Sequence, residues 1–373
     1  VSVVRRQAQR RWLVVACGVA LLCGLPTIVA AWPVPNSQLS AAALRARILA
    51  SADVPYQGYV ESSVDLDLPS LPDLGDVSSL LDGVTDQDAW YRSPGQWRAD
   101  VITETGEDDT YQTSQGTFEW SYSANLLTQV IGAQPVRLPR AADLLPPALA
   151  LRLLGFASSG THISRLPSQR VAGVDAAGLR LLPDDPDSTV GAVDIWADPR
   201  NGLPVEVAVI GRGATQPILV ARFLDLTESR PSLAEVTPDP APDIGTTITA
   251  LPDVSGIVDR FGPPLPEQIA GMSRVPAPSG LPDVAAYGAG FSRFAVLPLP
   301  NRVGRSALNA AQTAGAGGVS LSGGTGALIE TPLLTVLLAQ SQFGGPVYLL
   351  TGAVTPALLV RAGSNLLSDE TGS

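Results

Sequence analysis

Between Gln87 and Ile131 the chain alternates apolar and polar residues in short runs, and every run stops at a turn signal. Trp90-Tyr91-Arg92 ends at Ser93-Pro94-Gly95. Trp97, Ala99 and Val101 alternate with Arg98 and Asp100 up to Thr105-Gly106, and Tyr111 to Ser114 ends at Gln115-Gly116. Phe118, Trp120 and Tyr122 then alternate with Glu119 and Ser121, and Leu126 to Ile131 closes the set. A period of two sends successive side chains to opposite faces of a strand, and turn residues roughly every 8–12 positions fold the strands back on one another. This stretch is expected to be an antiparallel meander.

The pattern extends in both directions. Ser40 to Ala52 predicts a short amphipathic helix with Leu44, Ile48 and Leu49 on one face and Ser40 as N-cap. A strand starts at Tyr56 to Val60, and Leu68 to Gly83, rich in Pro, Asp, Leu and Ser, reads as a loop or flap with a single helical turn. Pro146-Pro147 opens a helix carrying Leu149, Leu153 and Leu154. Val171 to Val174 and Leu179 to Leu182 are expected to flank a turn at Asp175 to Gly178. Val190 to Ala197 and Leu203 to Ile210 form a hairpin around Asp198-Pro199-Arg200-Asn201-Gly202, and Pro217 to Leu226 adds a strand.

From Glu235 to Pro282 periodicity is lost, and a Pro/Asp-rich linker with one short helix near Pro266 to Met272 is expected. A smaller unit follows: strand Phe291 to Leu299, helix Arg302 to Ala314, a glycine-turned hairpin from Val319 to Ile329, a second hairpin from Leu333 to Leu350, and a terminal helix opened by Thr355-Pro356. The expected division is a leader over 1–35, a sheet domain over 36–237, a linker over 238–285 and a small C-terminal α/β domain over 286–373.

Arg5, Arg6, Arg10 and Arg11 precede an uncharged run from Trp12 to Ala31. About twenty apolar residues behind a basic flank suit a signal peptide or a membrane anchor that places the rest outside the cytoplasm. Pro26 and the small residues Ala30 and Ala31 suit cleavage, and retention stays equally open. Cys17 follows too short an apolar run for a lipoprotein signal. An extracytoplasmic protein, in the periplasm or cell envelope, contacting the cytoplasmic membrane through its N-terminal segment is therefore expected.

Several chemistries drop out on composition. Both cysteines, Cys17 and Cys23, lie in the apolar run, so the remainder has no disulfide, thiolate zinc or iron–sulfur site. The core must hold the fold alone, which a chain of this size permits. His162 is the single histidine, and no nucleophile elbow accompanies it. Every basic residue is arginine. Without the four leader arginines, 20 of the 24 basic residues face 35 acidic ones, a balance of −15 that argues against nucleic acid.

No catalytic constellation stands out, and no cofactor or metal is called for. Glu107-Asp108-Asp109 and Asp184-Asp185-Pro186-Asp187 read as solvated turn clusters. Gly323-Gly324-Thr325-Gly326 lacks the Lys-Ser/Thr of a phosphate loop and suits a hairpin turn. The aromatics are more informative, since Trp90, Tyr91, Trp97, Phe118, Trp120 and Tyr122 gather in one meander. Trp90, Trp97, Val101, Phe118, Trp120 and Tyr122, with Leu149 and Leu153 from the helix, are the candidate lining of an apolar ligand cavity between sheet and helix. A filled core built from the same residues is the alternative.

The order of these elements, with "WRADVITETG" in the meander and "VDIWADPRNGLPVEVAV" over Val193 to Val209, resembles the RseB/MucB family and the wider LolA/LppX-like fold. "YLLTGAVTPALLVRAGSNL", Tyr348 to Leu366, resembles the end of the RseB C-terminal domain. The resemblance implies an α+β fold: a large antiparallel half-barrel with helices on its concave side, plus the small C-terminal domain. It implies a non-enzymatic envelope-stress regulator that binds a lipid or lipoprotein acyl chain and a membrane-bound anti-sigma factor. A lipoprotein or lipid carrier is the rival within the same fold. An exported hydrolase using paired carboxylates is the third reading. The Leu68 to Gly83 insert and the long acidic linker depart from the family pattern.

Overall fold

The computed structural model describes residues 12, 15, 33–67, 80–103, 106–131, 139–240, 244–250, 265–275 and 285–372. The leader run, both cysteines and most of the Leu68 to Gly83 insert lie outside the described residues. Among the described residues no helix is long and apolar enough to cross a membrane.

Twelve strands form one open sheet. They are β1 (Tyr56–Asp65), β2 (Asp82–Ser93), β3 (Gln96–Thr103), β4 (Gly106–Thr113), β5 (Gly116–Ser121), β6 (Leu126–Ile131), β7 (Thr161–Val171), β8 (Val174–Pro183), β9 (Val190–Ala197), β10 (Pro204–Gly211), β11 (Pro217–Thr227) and β12 (Gly245–Ala250). The spatial order is β12-β6-β5-β4-β3-β2-β1-β11-β10-β9-β8-β7. Two local meanders, β1 to β6 and β7 to β11, are thus joined by one long-range antiparallel pair, in which Gln57 opposes Thr227. Only sequence-distant residues make that joint.

Helices α1 (Ala41–Leu49) and α2 (Pro146–Gly155) lie on one face of this sheet. Ser40 caps α1 through its hydroxyl, which accepts from the Ala43 amide at 3.1 Å. Leu44 and Ile48 of α1 and Leu149, Ala150 and Leu154 of α2 meet Leu179, Val193, Ile195 and Val207 in one core. Further along the same face, Tyr56 stacks on Tyr91 at 5.0 Å and Phe223 meets Tyr56 edge-on. The fold class is α+β, an open half-barrel with helices on one side.

The second sheet, ordered β13-β14-β15-β16-β20-β19-β18-β17, comprises β13 (Gln268–Ile269), β14 (Met272–Val275), β15 (Ala285–Tyr287), β16 (Phe294–Leu299), β17 (Gly317–Leu321), β18 (Gly324–Glu330), β19 (Thr335–Ser341) and β20 (Val347–Gly352). Helix α3 (Asn301–Thr313) lies on one face and α4 (Pro356–Gly372) on the other.

Three expectations change. The turn between β7 and β8 is Ala172-Gly173, not Asp175 to Gly178, because both residues take positive φ (46° and 79°), the twist a two-residue hairpin needs. Pro266 to Met272 is a hairpin rather than a helix: Ala270-Gly271 repeats that geometry, and Ile269 pairs with Met272. The stretch expected to be a linker contributes β12, whose six residues pair parallel with β6 from Gly245↔Leu126 to Ala250↔Ile131. Its Thr-Thr-Ile-Thr run has strand character that the surrounding prolines obscure.

The two sheets touch. Ser188 and Val354 form an isolated bridge, the Thr189 amide donates to the Ala353 carbonyl at 3.0 Å, and the Thr355 amide donates to the Asp187 carbonyl at 2.8 Å. Phe291 reaches from the second unit into the core of the first, its ring 6.0 Å from that of Phe156.

Candidate functional site

The eight residues proposed from sequence are divided between two faces of the large sheet. Register sets the division. Tyr91 opposes Trp97, and Ala89 opposes Ala99, so Trp97 and Val101 share the helix-covered face with Tyr56 and Tyr91. Trp90 opposes Arg98, Arg98 opposes Tyr111, Tyr111 opposes Phe118, and Asp109 opposes Trp120. Trp90, Phe118 and Trp120 therefore point to the other face. Tyr122 lies just past β5 and is 59% exposed. Leu149 is buried in the helix–sheet core. Leu153 lines a void of about 310 Å³ between α2 and the second unit, together with Phe156, Phe291 and Phe294.

The far face holds a charged cluster. Arg98 lies between two rings, 5.0 Å from the centre of Trp90 and 5.1 Å from that of Tyr111. Its Nε donates to Asp100 Oδ1 at 2.6 Å, and its Nη2 donates to Asp109 Oδ2 at 2.9 Å and pairs with Asp100 Oδ2. The Tyr111 hydroxyl also donates to Asp109, at 3.0 Å. Asp100 and Asp109 are each 3% exposed. Burial pushes the Asp100 carboxyl up to about 7 in spite of the Arg98 hydrogen bond, and raises Asp109 as well. Arg98, Glu107, Asp109, Tyr111 and Trp120 line a cavity of about 200 Å³ together with Pro238, Asp239 and Pro240.

Glu107-Asp108-Asp109 is thus not a solvated turn cluster. It lies on β4, where alternation sends Glu107 and Asp109 to one side and only Glu107 and Asp108 remain exposed. Asp184 to Asp187 does lie between strands, but it is a contact between units: Asp185 accepts from the Ser292 hydroxyl, and Asp187 pairs with Arg361 at 3.1 Å. His162 is exposed on β7.

A larger apolar space lies in the second unit. The sheet there is apolar on both faces. Leu328, Leu337 and Leu350 meet α4, while Ile329, Leu338 and Leu349 turn toward α3. Helix α3 presents Ala307, Ala310 and Ala311 to that sheet, and Gly304 lies against Val347. Such short side chains let the helix approach without filling the space beside it. The result is a groove of about 840 Å³ lined by Leu299, Val303, Ala307, Ala310, Val336, Leu338 and Leu349, with Arg302 at its border. Alanines on the sheet-facing side of α3 were the sequence signal for it.

No family model matches the chain, and no curated protein matches it. Among solved structures the chain is similar to MucB, with 15% identity over 87% of this chain and 96% of that one, at a TM-score of 0.44. It is similar to a chain of the MucA/MucB complex of Pseudomonas aeruginosa, with 16% identity over 87% and 97% of the two, at a TM-score of 0.48. A LolA superfamily protein from Nitrosomonas europaea aligns over 99% of its length with 54% of this chain, at 11% identity and a TM-score of 0.25.

Proposed function

We propose that this chain is a non-enzymatic, extracytoplasmic binding protein that takes an acyl chain into the groove beside α3 and contacts a membrane protein. The observation that carries the reading is the groove itself. Its volume of about 840 Å³ lies within the roughly 300–1,000 Å³ range of small-molecule sites, and its walls are mostly aliphatic. Arg302 at the border offers a guanidinium to a carboxylate or phosphate head group while the apolar tail lies against Leu299, Val336 and Leu349. The leader-like N-terminus supports delivery to a compartment where such ligands abound. The meander aromatics Trp90, Trp97, Phe118 and Trp120 serve the first unit as half-buried sheet residues in this reading.

The resemblance in Val193 to Val209 and Tyr348 to Leu366 supports a membrane-bound anti-sigma factor as partner, and hence a regulatory role. A carrier of lipid or lipoprotein is the second reading, and the same groove supports it. A retained leader separates the two, because a carrier must leave the membrane.

Mass spectrometry of lipids co-purifying with the chain from Asn36 onward tests the groove. The expected result is an acyl lipid near one per chain, lost when Ala310→Trp fills the groove. Protein that carries no acyl lipid, or a variant that retains it in full, would sink the reading.

A further inference from the structure

The face of the large sheet away from α1 and α2 gathers carboxylates that neither the core nor the groove uses. We propose that Asp100, Glu107 and Asp109 hold a divalent cation, calcium in preference to magnesium, beneath the Pro238–Pro240 strap. One oxygen from each of the three carboxylates lies within 4.8 Å of the others. That spacing lets a single ion touch all three, since calcium–oxygen distances are roughly 2.3–2.6 Å.

A second observation separates this cluster from an ordinary ion pair. Asp109 is 3% exposed and lines the cavity of about 200 Å³, yet its Oδ1 has no hydrogen-bond partner. Arg98 and Tyr111 both approach the other oxygen, Oδ2. A buried carboxylate oxygen left unsatisfied loses its hydration without replacement, so native structures rarely leave one without a partner. A cation beside Oδ1 supplies that partner.

Charge points the same way. With all three carboxylates ionised, the cluster and the one guanidinium of Arg98 leave two negative charges, which a divalent ion balances. The surrounding face deepens the negative field. Asp86 and Asp88 of β2 share it, and Asp239 of the strap lines the cavity wall. Arg98 leaves Asp109 Oδ1 uncontacted, because its bonds run to both Asp100 oxygens and to Asp109 Oδ2. Ionised carboxylate oxygens each keep a further lone pair for a metal.

The donor set selects the ion. All-oxygen ligands favour hard cations over zinc or copper. Magnesium demands near-octahedral geometry, whereas calcium accepts irregular sets of six to eight oxygens. Three carboxylates fixed partly by an arginine fit the second, and the cavity leaves room for waters to complete the shell at roughly 30 Å³ each. Occupancy would also tie the β11–β12 connection to the sheet, because Pro238, Asp239, Pro240 and Ile244 form the outer wall.

Terbium, which takes calcium's ligands and luminesces on energy transfer from a nearby indole, is a direct probe, since Trp120 lines the cavity. The full chain in detergent is titrated with terbium, then with calcium as competitor, and calcium binding is repeated by calorimetry. The expected result is one saturable site, with a calcium Kd of about 10⁻⁴–10⁻³ M as in extracellular modules. Glu107→Gln should weaken binding by about tenfold or more through the loss of one charged ligand, and Asp109→Asn should abolish it. Glu107 is exposed, so its variant stays informative if Asp109→Asn does not fold. No saturable signal at calcium well above that range, or a site that Glu107→Gln leaves unchanged, would overturn the proposal.

Discussion

Replacing Phe291 by alanine should uncouple the two units. Phe291 belongs to the second unit by sequence, but its side chain, 6% exposed, is part of the core formed by α1, α2 and strands β8 to β11. Burying a phenylalanine contributes about 1.5–3 kcal/mol, and truncation to alanine adds a cavity term, giving about 3–5 kcal/mol in ordinary cores. Here Phe291 also borders the void of about 310 Å³, so part of its ring already faces space. The expected cost therefore lies near the lower end, about 3 kcal/mol. What would remain across the interface is the smaller apolar contact of Leu333 and Ala353 together with polar contacts: the Ser188–Val354 bridge, its neighbouring backbone bonds, the Ser292–Asp185 hydrogen bond and the Asp187–Arg361 pair. Arg361 is 53% exposed in that pair, which makes the pair worth under about 1 kcal/mol. Scanning calorimetry should show one cooperative transition in the wild type and two in Phe291→Ala, the lower displaced by on the order of 10 °C. A single transition moved by less than about 2 °C would refute the assignment of Phe291 as the apolar anchor.

Further outcomes follow from the same packing. Arg98→Met strips the guanidinium from two carboxylates that are each 3% exposed, and should cost about 3–5 kcal/mol in urea denaturation followed by tryptophan fluorescence; a loss under about 1 kcal/mol would contradict the pairing. Gly304→Ala in α3 would gain about 1 kcal/mol from helix propensity alone. Its new Cβ would instead collide with Val347, so a net loss of about 1–3 kcal/mol is expected, recovered by adding Val347→Ala. A raised Tm in the single variant would show that α3 is not seated on β20. Burial raises the Glu206 carboxyl above its ordinary range, so the folded chain binds that proton more readily than the unfolded chain. Its contribution to stability is full below the ordinary carboxylate range and lost as pH rises through the raised value. Glu206→Gln should flatten that part of the stability profile, and an unchanged slope would speak against it.

Strand and helix positions were largely readable because the chain's local rules agree with its packing. Ser40, Pro146-Pro147 and Asp198 to Gly202 mark their elements by cap and turn chemistry, and α1, α2 and the β9–β10 hairpin stand where those signals place them. Errors arose where one conformation depends on two residues with no distinctive side chain. Ala172-Gly173 and Ala270-Gly271 turn hairpins with an alanine in the left-handed region, which sequence preference disfavours and the flanking strands impose. The site was harder to read. Aromatic content located the meander, but which face each ring takes depends on parity across β2 to β5, and parity sends Trp97 and Trp120 to opposite sides. The groove beside α3 follows from side chains too short to fill a space, and an absent side chain leaves little pattern to find.

The joint between β1 and β11 has a temporal consequence. Each meander can form from neighbours in sequence, but closing Gln57 onto Thr227 must wait until the whole second meander exists. A chain that emerges amino end first therefore spends an interval with the backbone edge of β1 unpaired, over residues that later bury Val60 and Val64. Unpaired edges recruit other strands. The vulnerable moment in this protein's life is consequently during its own production, and substitutions that slow β7 to β11 should first appear as lost yield rather than as lost binding.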